Sequence, residues 1–353
     1  MAVNTIEDLA TELGADWPFI VSGRQNAKSE IERIRQACEP LVLPDTSLVV
    51  FGSLARGEFT DASDIDWTLL VDGITIPQHL TVARQISDAL DRLKTKAPGR
   101  TGTFGNMASS HSLIHCIGGE DDTNTNTTRR SLILLEASPV GDSDAFNRVR
   151  NNLLKRYLEE DLGLWRPSNT CKIPRFLLND FARYWRTMAV DFADKQHDRF
   201  QEGFALRSIK LRLSRKLLYI SGLLVCFRCH LDFPEDKERI KFFSRDKSVE
   251  VALYVRNLLE KTPLDITAET LSRFANKPKP VSEMFNAYEN FLGILSDPLK
   301  RKHLEELTQE KYESDPLNTE ARRISYRFRD AIQDIFLSSD NPIGKLTIKY
   351  GVF

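Results

Sequence analysis

The chain has 353 residues, of which 41% are hydrophobic and 28% are charged. This length suffices for two or three domains, and this composition excludes an intrinsically disordered chain. The 49 lysines and arginines nearly balance the 50 aspartates and glutamates, so the net charge of −1 gives no overall attraction to nucleic acid. Any contact with a polynucleotide therefore needs a local basic patch.

The first predicted elements are helices and buried strands. Apolar residues recur at helical spacing over residues 4–13 and 25–38. A buried strand is predicted over Ser47–Phe51, directly before a Gly-Ser pair, and a second over Ile65–Val71. An amphipathic helix is predicted from Pro77 to Leu93. This order is typical of a small unit in which helices and strands mix.

The next region is predicted to be less regular. A third strand is expected around Ser112–Ile117, and the polar run 118–128 is expected to form a loop. Helical spacing resumes over residues 130–137, and the tail from Asn341 is predicted to be extended. Between them the pattern is helical over 145–160, 174–195, 204–232, 247–260, 281–295, 299–312 and 317–337.

These elements predict an α+β fold with a mixed sheet and helices, followed by a mainly helical domain. The expected boundaries are N-terminal helices at 1–45, an α/β core at 46–145, a helical domain at 146–340 and a C-terminal tail at 341–353.

The cysteines and the apolar segments predict a cytoplasmic protein. Five scattered cysteines do not fit a secreted disulfide framework, and the N-terminal segment lacks the pattern of a signal peptide. The most apolar stretch, 217–226, is too short to span a bilayer. Cys226 and Cys229 form a lone CxxC without the second ligand pair of a structural zinc site, so we expect buried thiols rather than a metal site.

The most informative segment joins the two predicted strands. Gly52-Ser53 is followed after ten residues by Asp64-Ile65-Asp66. A glycine lets the backbone approach a phosphate closely, and a helix that starts there directs free N–H groups at it. The Ser53 hydroxyl can donate to a phosphate oxygen. Asp64 and Asp66 alternate on a strand and share one face, as ligands of Mg²⁺ or Mn²⁺ would.

This segment resembles the signature of the DNA polymerase β-like nucleotidyltransferases. The resemblance implies a polymerase β-like core, transfer of a nucleotide from an NTP or dNTP with release of pyrophosphate, and metal-bound catalytic carboxylates at Asp64 and Asp66. That superfamily usually places a third carboxylate on a following strand. Here either Glu120, Asp121 or Asp122 reaches in from the loop, or the site works with two aspartates.

Further contacts with the nucleotide are expected outside this segment. On a helix that begins at Gly52, Arg56 lies either near the phosphates or on the surface. The superfamily commonly brings a lysine and a serine from its helical domain to the triphosphate, which the resemblance assigns to Lys210 and Ser214. The surrounding basic run, 207–216, is alternatively a surface for a nucleic-acid backbone.

The C-terminal tail suggests one group within the superfamily. Tyr350 lies close to the chain end, and a phenol there could enter its own or a neighbour's active site as the first acceptor. This arrangement is similar to the nucleotidyltransferase of the Hailong anti-phage system, which implies synthesis of short single-stranded DNA from a C-terminal tyrosine. The resemblance also implies a membrane effector that responds to the oligomer, and a homo-oligomer is compatible with it.

Two other hypotheses remain open. The chain is alternatively an enzyme that nucleotidylylates a protein or tRNA, or a cyclic-oligonucleotide synthase, in which case Tyr350 is dispensable. A catalytically dead binding module is the third alternative, and the presence of Ser53 and both aspartates argues against it.

Overall fold

The computed structural model describes residues 3–97, 103–198 and 203–351. These residues divide into two compact units. The sheet unit comprises Ser22–Leu162 and Arg245–Thr262, and the helical unit comprises Met1–Val21, Gly163–Ser244 and Pro263–Phe353. The domain boundaries expected from the sequence stay a prediction, and the N-terminal residues up to Val21 group with the helical unit.

The regular elements are four strands and nineteen α-helices within the described residues. The strands are β1 (Thr46–Val50), β2 (Trp67–Val71), β3 (Asn106–Ser109) and β4 (Ser138–Val140). The helices in chain order are α1 (Ile6–Leu13), α2 (Pro18–Cys38), α3 (Gly52–Arg56), α4 (Pro77–Arg92), α5 (Ser110–His115), α6 (Asn124–Leu135), α7 (Asp144–Glu159), α8 (Leu162–Trp165), α9 (Arg175–Asp198), α10 (Phe204–Lys210), α11 (Lys216–Leu231), α12 (Asp236–Phe242), α13 (Ser248–Leu259), α14 (Pro263–Phe274), α15 (Pro278–Ser296), α16 (Pro298–Glu306), α17 (Gln309–Tyr312), α18 (Pro316–Phe336) and α19 (Pro342–Leu346). Short π-helical turns at Leu211–Arg215 and Thr347–Gly351 follow α10 and α19.

The four strands form one mixed sheet in the order β3-β2-β1-β4. β1 pairs antiparallel with β2 and with β4, whereas β3 runs parallel to β2. Side chains alternate along a strand, so Leu48, Val50, Trp67 and Leu69 share one face. That face packs against apolar residues of α2 and α4 and forms the core of the sheet unit. The predicted α+β class, a mixed sheet followed by a mainly helical region, is confirmed.

The helical unit is held together by apolar packing and by a few buried polar contacts. Its central helix, α11, is buried on nearly all sides. At the start of α2, the carboxylate of Glu289 accepts hydrogen bonds from the backbone N–H groups of Phe19 (2.7 Å) and Ile20 (2.9 Å). These N–H groups lack a partner within their own helix, so a carboxylate from α15 satisfies them. Burial nevertheless raises the pKa of Glu289.

Three predicted elements were wrong, since α6 begins at Asn124, within the run 118–128 that was expected to form a loop. Residues around Ser112–Ile117 do not form a strand, because α5 occupies Ser110–His115 and the third strand lies earlier, at Asn106–Ser109. The C-terminal tail is not extended, because Asn341 caps α19 by accepting from the N–H of Gly344 (2.8 Å). Thr347 then continues the helical path.

None of the described helices alone has the length and apolar character needed to cross a bilayer. One pair bent by 112°, Phe204–Leu231 with Asp236–Phe242, meets those criteria by length and composition only.

Candidate active site

The start of α3 is built around a glycine that no other residue can replace without strain. Gly52 has φ +67°, in the left-handed region that side chains disfavour. A Cβ at this position would lie 3.1 Å from Oδ2 of Asp66. The backbone of α3 therefore approaches the Asp66 carboxylate closely.

The two aspartates of the motif lie just before β2. The second strand was predicted to begin at Ile65 but begins at Trp67. The alternation nevertheless continues upstream, since Asp64 and Asp66 are half-buried while Ile65 and Trp67 are buried. A hydrogen bond from the N–H of Phe51 to the carbonyl of Asp66 (2.8 Å) extends the pairing of β1 and β2 to this position.

A lysine that the sequence reasoning missed contacts Asp64. Lys96 forms a parallel bridge with Asp64, and its carbonyl accepts from the N–H of Ile65 (2.9 Å). Its Nζ lies 3.1 Å from Oδ1 of Asp64, within ion-pair distance, although that oxygen accepts no well-directed hydrogen bond. Both side chains are partly exposed, so we treat this contact as a weak surface pair. No local pattern around Lys96 predicts it.

Ser53 remains available to a ligand. It is half-buried in the first turn of α3, and no hydrogen bond of its hydroxyl is found among the described residues. The hydroxyl can therefore donate to an oxygen that approaches α3 from solvent.

Arg56 is buried and ion-paired. Its Nε lies 2.9 Å from Oε2 of Glu58, and its Nη1 lies 2.5 Å from Oε2 of Glu136. The Arg56 side chain is 7% exposed. In this structure its guanidinium joins α3 to the end of α6, and its role in nucleotide binding stays a prediction.

Among the described residues, no third carboxylate joins Asp64 and Asp66. The next strand, β3, carries none, and Glu120 and Asp121 are exposed. Asp122 is engaged by Arg130, with both carboxylate oxygens accepting at 2.6 and 2.8 Å. Throughout the described residues, no group of three or more histidine, cysteine, aspartate or glutamate side chains could hold a metal ion.

The other predicted contacts belong to the helical unit. Lys210 and Ser214 lie one turn apart where α10 passes into a π-helical turn, and Ser214 donates to the Lys210 carbonyl (3.0 Å). Such π turns interrupt helices frequently at functional sites. Ser214 is buried, whereas Lys210 is half-buried.

Tyr350 lies on the second π-helical turn and its ring contacts two cations. The guanidinium of Arg175 lies 5.0 Å from the ring centroid, and Nζ of Lys349 lies 5.2 Å from it. Both distances are within the range of cation–π attraction. The tyrosine is half-exposed.

The CxxC pair lies in the core of the helical unit. Cys226 and Cys229 are fully buried on α11. Burial raises the pKa of the Cys229 thiol, which keeps it protonated. Buried thiols were expected at these two positions, and both side chains pack in the core of the helical unit.

A comparison with protein families finds one match. The model of the nucleotidyltransferase domain matches residues 31–81, a range that includes Gly52, Ser53, Asp64 and Asp66. The match supports a transferase that acts on nucleotides, with a polymerase β-like domain in this part of the chain. A search of curated proteins finds no match.

Proposed function

We propose that this chain is a metal-dependent nucleotidyltransferase with Asp64 and Asp66 as its catalytic carboxylates. One observation carries the proposal: the glycine that begins α3 lies directly against the Asp66 carboxylate. A nucleotide phosphate that meets the backbone of Gly52-Ser53 would therefore lie beside the two aspartates.

The donor set fits a hard divalent cation. Both carboxylates are half-buried, and they offer only oxygen atoms as ligands. Mg²⁺ and Mn²⁺ prefer oxygen ligands. The ammonium of Lys96, 3.1 Å from Asp64, is consistent with a place that attracts positive charge. A bound ion would neutralise phosphate charge and help deprotonate the attacking hydroxyl.

In this proposal the protein's own side chains and backbone bind and orient the phosphates. The Ser53 hydroxyl orients the phosphates by donating to one of their oxygens. Gly52 keeps the backbone close enough for N–H groups to do the same. The acceptor oxygen attacks the α-phosphorus while pyrophosphate leaves, and Lys210 and Ser214 stay the predicted further ligands of the triphosphate.

A first experiment separates transfer from folding. The protein is incubated with Mg²⁺ or Mn²⁺ and each labelled NTP or dNTP, and the products are separated on denaturing gels before and after protease treatment. Loss of an outer-sphere partner of a metal costs about 10–100-fold, so Asp66→Asn, which alters a direct ligand, is expected to cost at least about a hundredfold. The exposed Asp61 provides the control, because Asp61→Asn should leave transfer intact.

Absence of transfer from every nucleotide, or equal activity of wild type and Asp66→Asn, would contradict the proposal. In the former case the binding-module hypothesis gains support.

The acceptor is proposed to be Tyr350, from which the enzyme extends a short single-stranded DNA. The favouring observation is the pair of cations beside its ring, Arg175 and Lys349, which would stabilise the negative phosphodiester formed on the phenol oxygen. The tyrosine oxygen attacks the α-phosphorus of a dNTP, pyrophosphate leaves, and the phenol proton passes to solvent. In anti-phage defence the oligomer would then act on a membrane effector.

The acceptor has its own test. With Tyr350→Phe, the ring can keep its contact with Arg175, so the fold should persist while protein-linked label from a dNTP disappears. Tyr326→Phe, on the exposed face of α18, is the matched control. Label that persists in Tyr350→Phe, or that appears on an added protein, tRNA or cyclic product, favours the alternative transferase reactions.

A further inference from the structure

The face of the sheet that carries Asp66 continues onto β3. Asp66 and Thr68 are two residues apart, so their side chains point to the same side. In the parallel register of β2 and β3, Thr68 lies opposite Asn106, which places the Asn106 side chain on that side too. Neighbouring strands lie about 4.8 Å apart, so Asn106 adjoins Thr68, the next residue after Asp66 on this side of the sheet.

An arginine from α6 binds Asn106. Nη2 of Arg129 donates to Oδ1 of Asn106 (2.7 Å) and to the carbonyl of Thr103 (2.8 Å), and Nε donates to the same carbonyl (3.1 Å). Three hydrogen bonds to two neutral acceptors therefore hold the guanidinium plane in one orientation. This orientation sets it on the Asp66 side of the edge strand.

Among the described residues Arg129 has no carboxylate partner, unlike its neighbour Arg130 and unlike Arg56. Arg130, the next residue on α6, has both Nη atoms on the carboxylate of Asp122, and Arg56 is paired with two glutamates. Across residues 3–97, 103–198 and 203–351, no carboxylate pairs with Arg129, and its Nη1 has no hydrogen-bond acceptor.

A partly buried cation without a counter-ion carries an unfavourable desolvation cost. Arg129 is half-buried, and burial alone lowers the pKa of its guanidinium. An anion bound beside Arg129 would offset that cost and would accept hydrogen bonds from a guanidinium that is already oriented. Arginine is well suited to phosphate because its fork of N–H groups matches the phosphate oxygens.

We infer that Arg129 binds a phosphate group of the substrate on the Asp66 face, and that Asn106 is the positioning residue that orients its guanidinium. This inference rests on the proposed nucleotidyltransferase function, because it takes the anion from that reaction. The phosphate belongs either to the triphosphate of the incoming nucleotide or to the backbone of the growing oligonucleotide. The chemistry of the contact is the same for both sources.

Binding measurements test the inference without turnover. Tripolyphosphate and a dNTP form one arm, and a short single-stranded oligodeoxynucleotide forms the other, each titrated by calorimetry into wild type and Arg129→Gln. Hydrogen bonds to charged groups are strong enough for a loss of about 10–100-fold in affinity. Arg84→Gln, which removes an exposed charge from α4, is the control and should bind as wild type does.

The two sources give different results. Weaker binding of tripolyphosphate and dNTP assigns Arg129 to the incoming nucleotide, whereas weaker binding of the oligonucleotide alone assigns it to the strand. In the latter arm the slope of log affinity against log salt should also fall by about one, a change that a purely structural arginine does not produce. Arg129→Lys keeps the charge but not the fork and should recover only part of the affinity.

Unchanged affinity in both arms, for an Arg129→Gln protein that melts like wild type, overturns the inference. That outcome is distinct from failure of the proposed function, in which wild type transfers no nucleotide. It is also distinct from a folding defect, which thermal unfolding of Arg129→Gln and Arg129→Lys would reveal.

Discussion

The two faces of the sheet carry different chemistry although they share the same strands. On one face Leu48, Val50, Trp67 and Leu69 are buried against α2 and α4. The opposite face is also buried at Val49 and Leu70, but it carries the polar residues Asp66, Thr68 and Asn106 as well. Alternation along each strand allows this division, since neighbouring residues point to opposite sides.

The comparison shows how this small unit combines stability with a polar site. Apolar burial on the core face supplies the favourable free energy of folding. On the opposite face, Oγ1 of Thr68 is buried without a hydrogen-bond partner among the described residues, which reduces stability. Each of the following substitutions tests whether a side chain stabilises the fold or serves another role.

Arg56 should produce the largest effect on stability. Arg56→Ala leaves the buried carboxylates of Glu58 and Glu136 without their cation, and breaking a buried pair in this way costs about 3–5 kcal/mol. Chemical denaturation measures the change. Arg148→Ala breaks an exposed pair with Asp72 and should cost less than about 1 kcal/mol.

Nucleotide affinity then decides the second role expected for Arg56. If Arg56 serves only the fold, the folded fraction of Arg56→Ala binds a dNTP as wild type does. A stability close to wild type together with weaker dNTP binding would contradict the structural role and support the predicted contact with phosphate.

Adjacent residues of β2 should respond in opposite directions. Leu69→Ala removes a fully buried side chain from the core face and should cost about 2–5 kcal/mol. Thr68 is buried on the other face, and its Oγ1 has no hydrogen-bond partner within the described part of the chain. Thr68→Val removes that unsatisfied group and should stabilise the protein by about 1 kcal/mol.

Both changes are measured by the same urea titration. Destabilisation of Thr68→Val would show that the hydroxyl is hydrogen-bonded in solution, and the distinction between the two faces would then be weaker than the structure suggests.

Much of this architecture could be predicted because its signals are local. A continuous apolar run predicted β1 and alternating residues predicted β2, each to within two residues of its ends, and 3.6-residue spacing predicted α7, α9, α15 and α18 closely. The spacing of Gly52-Ser53 and the two aspartates indicated the candidate site, since these residues lie within one short strand–helix–strand segment.

The wrong predictions concern short segments with ambiguous patterns. Around α5, Leu113 and Ile114 are both buried, a pair that fits a short helix as well as a strand. In the tail, which was predicted to be extended, Asn341 followed by a proline is a helix start signal, and α19 begins there.

The contacts of the charged residues could not be predicted, because their partners are distant in sequence. Arg56 pairs with Glu136, 80 residues away, and Arg129 binds Asn106 across 23 residues. Spacing shows which residues share a helix face or a strand face, but it does not show which loops and helices meet. The expected third carboxylate illustrates this limit, since Asp122 instead pairs with Arg130 on the following helix.

An effect smaller than those of Arg56→Ala and Leu69→Ala is expected in the helical unit, where a histidine makes stability depend on pH. Burial, together with the neighbouring charge of Arg239, lowers the pKa of His230 to about 4, while Asp236 acts in the opposite direction and Lys349 in the same one. The folded state therefore holds His230 neutral, whereas an unfolded chain protonates it below about pH 6.5. Its contribution is fully present above pH 6.5 and is lost as the pH falls towards 4.

Because His230 is only about half-buried, solvent screening reduces the effect to roughly 1–2 kcal/mol. His230→Gln cannot titrate, so the stability difference between pH 7 and pH 5 should be smaller in this variant than in wild type by about that amount. Denaturant titrations at the two pH values measure it. An equal pH dependence of wild type and His230→Gln would mean that the imidazole is solvated in the folded state. The contact between Arg239 and His230, at 2.5 Å from Nη1 to Nδ1, would then not persist in solution.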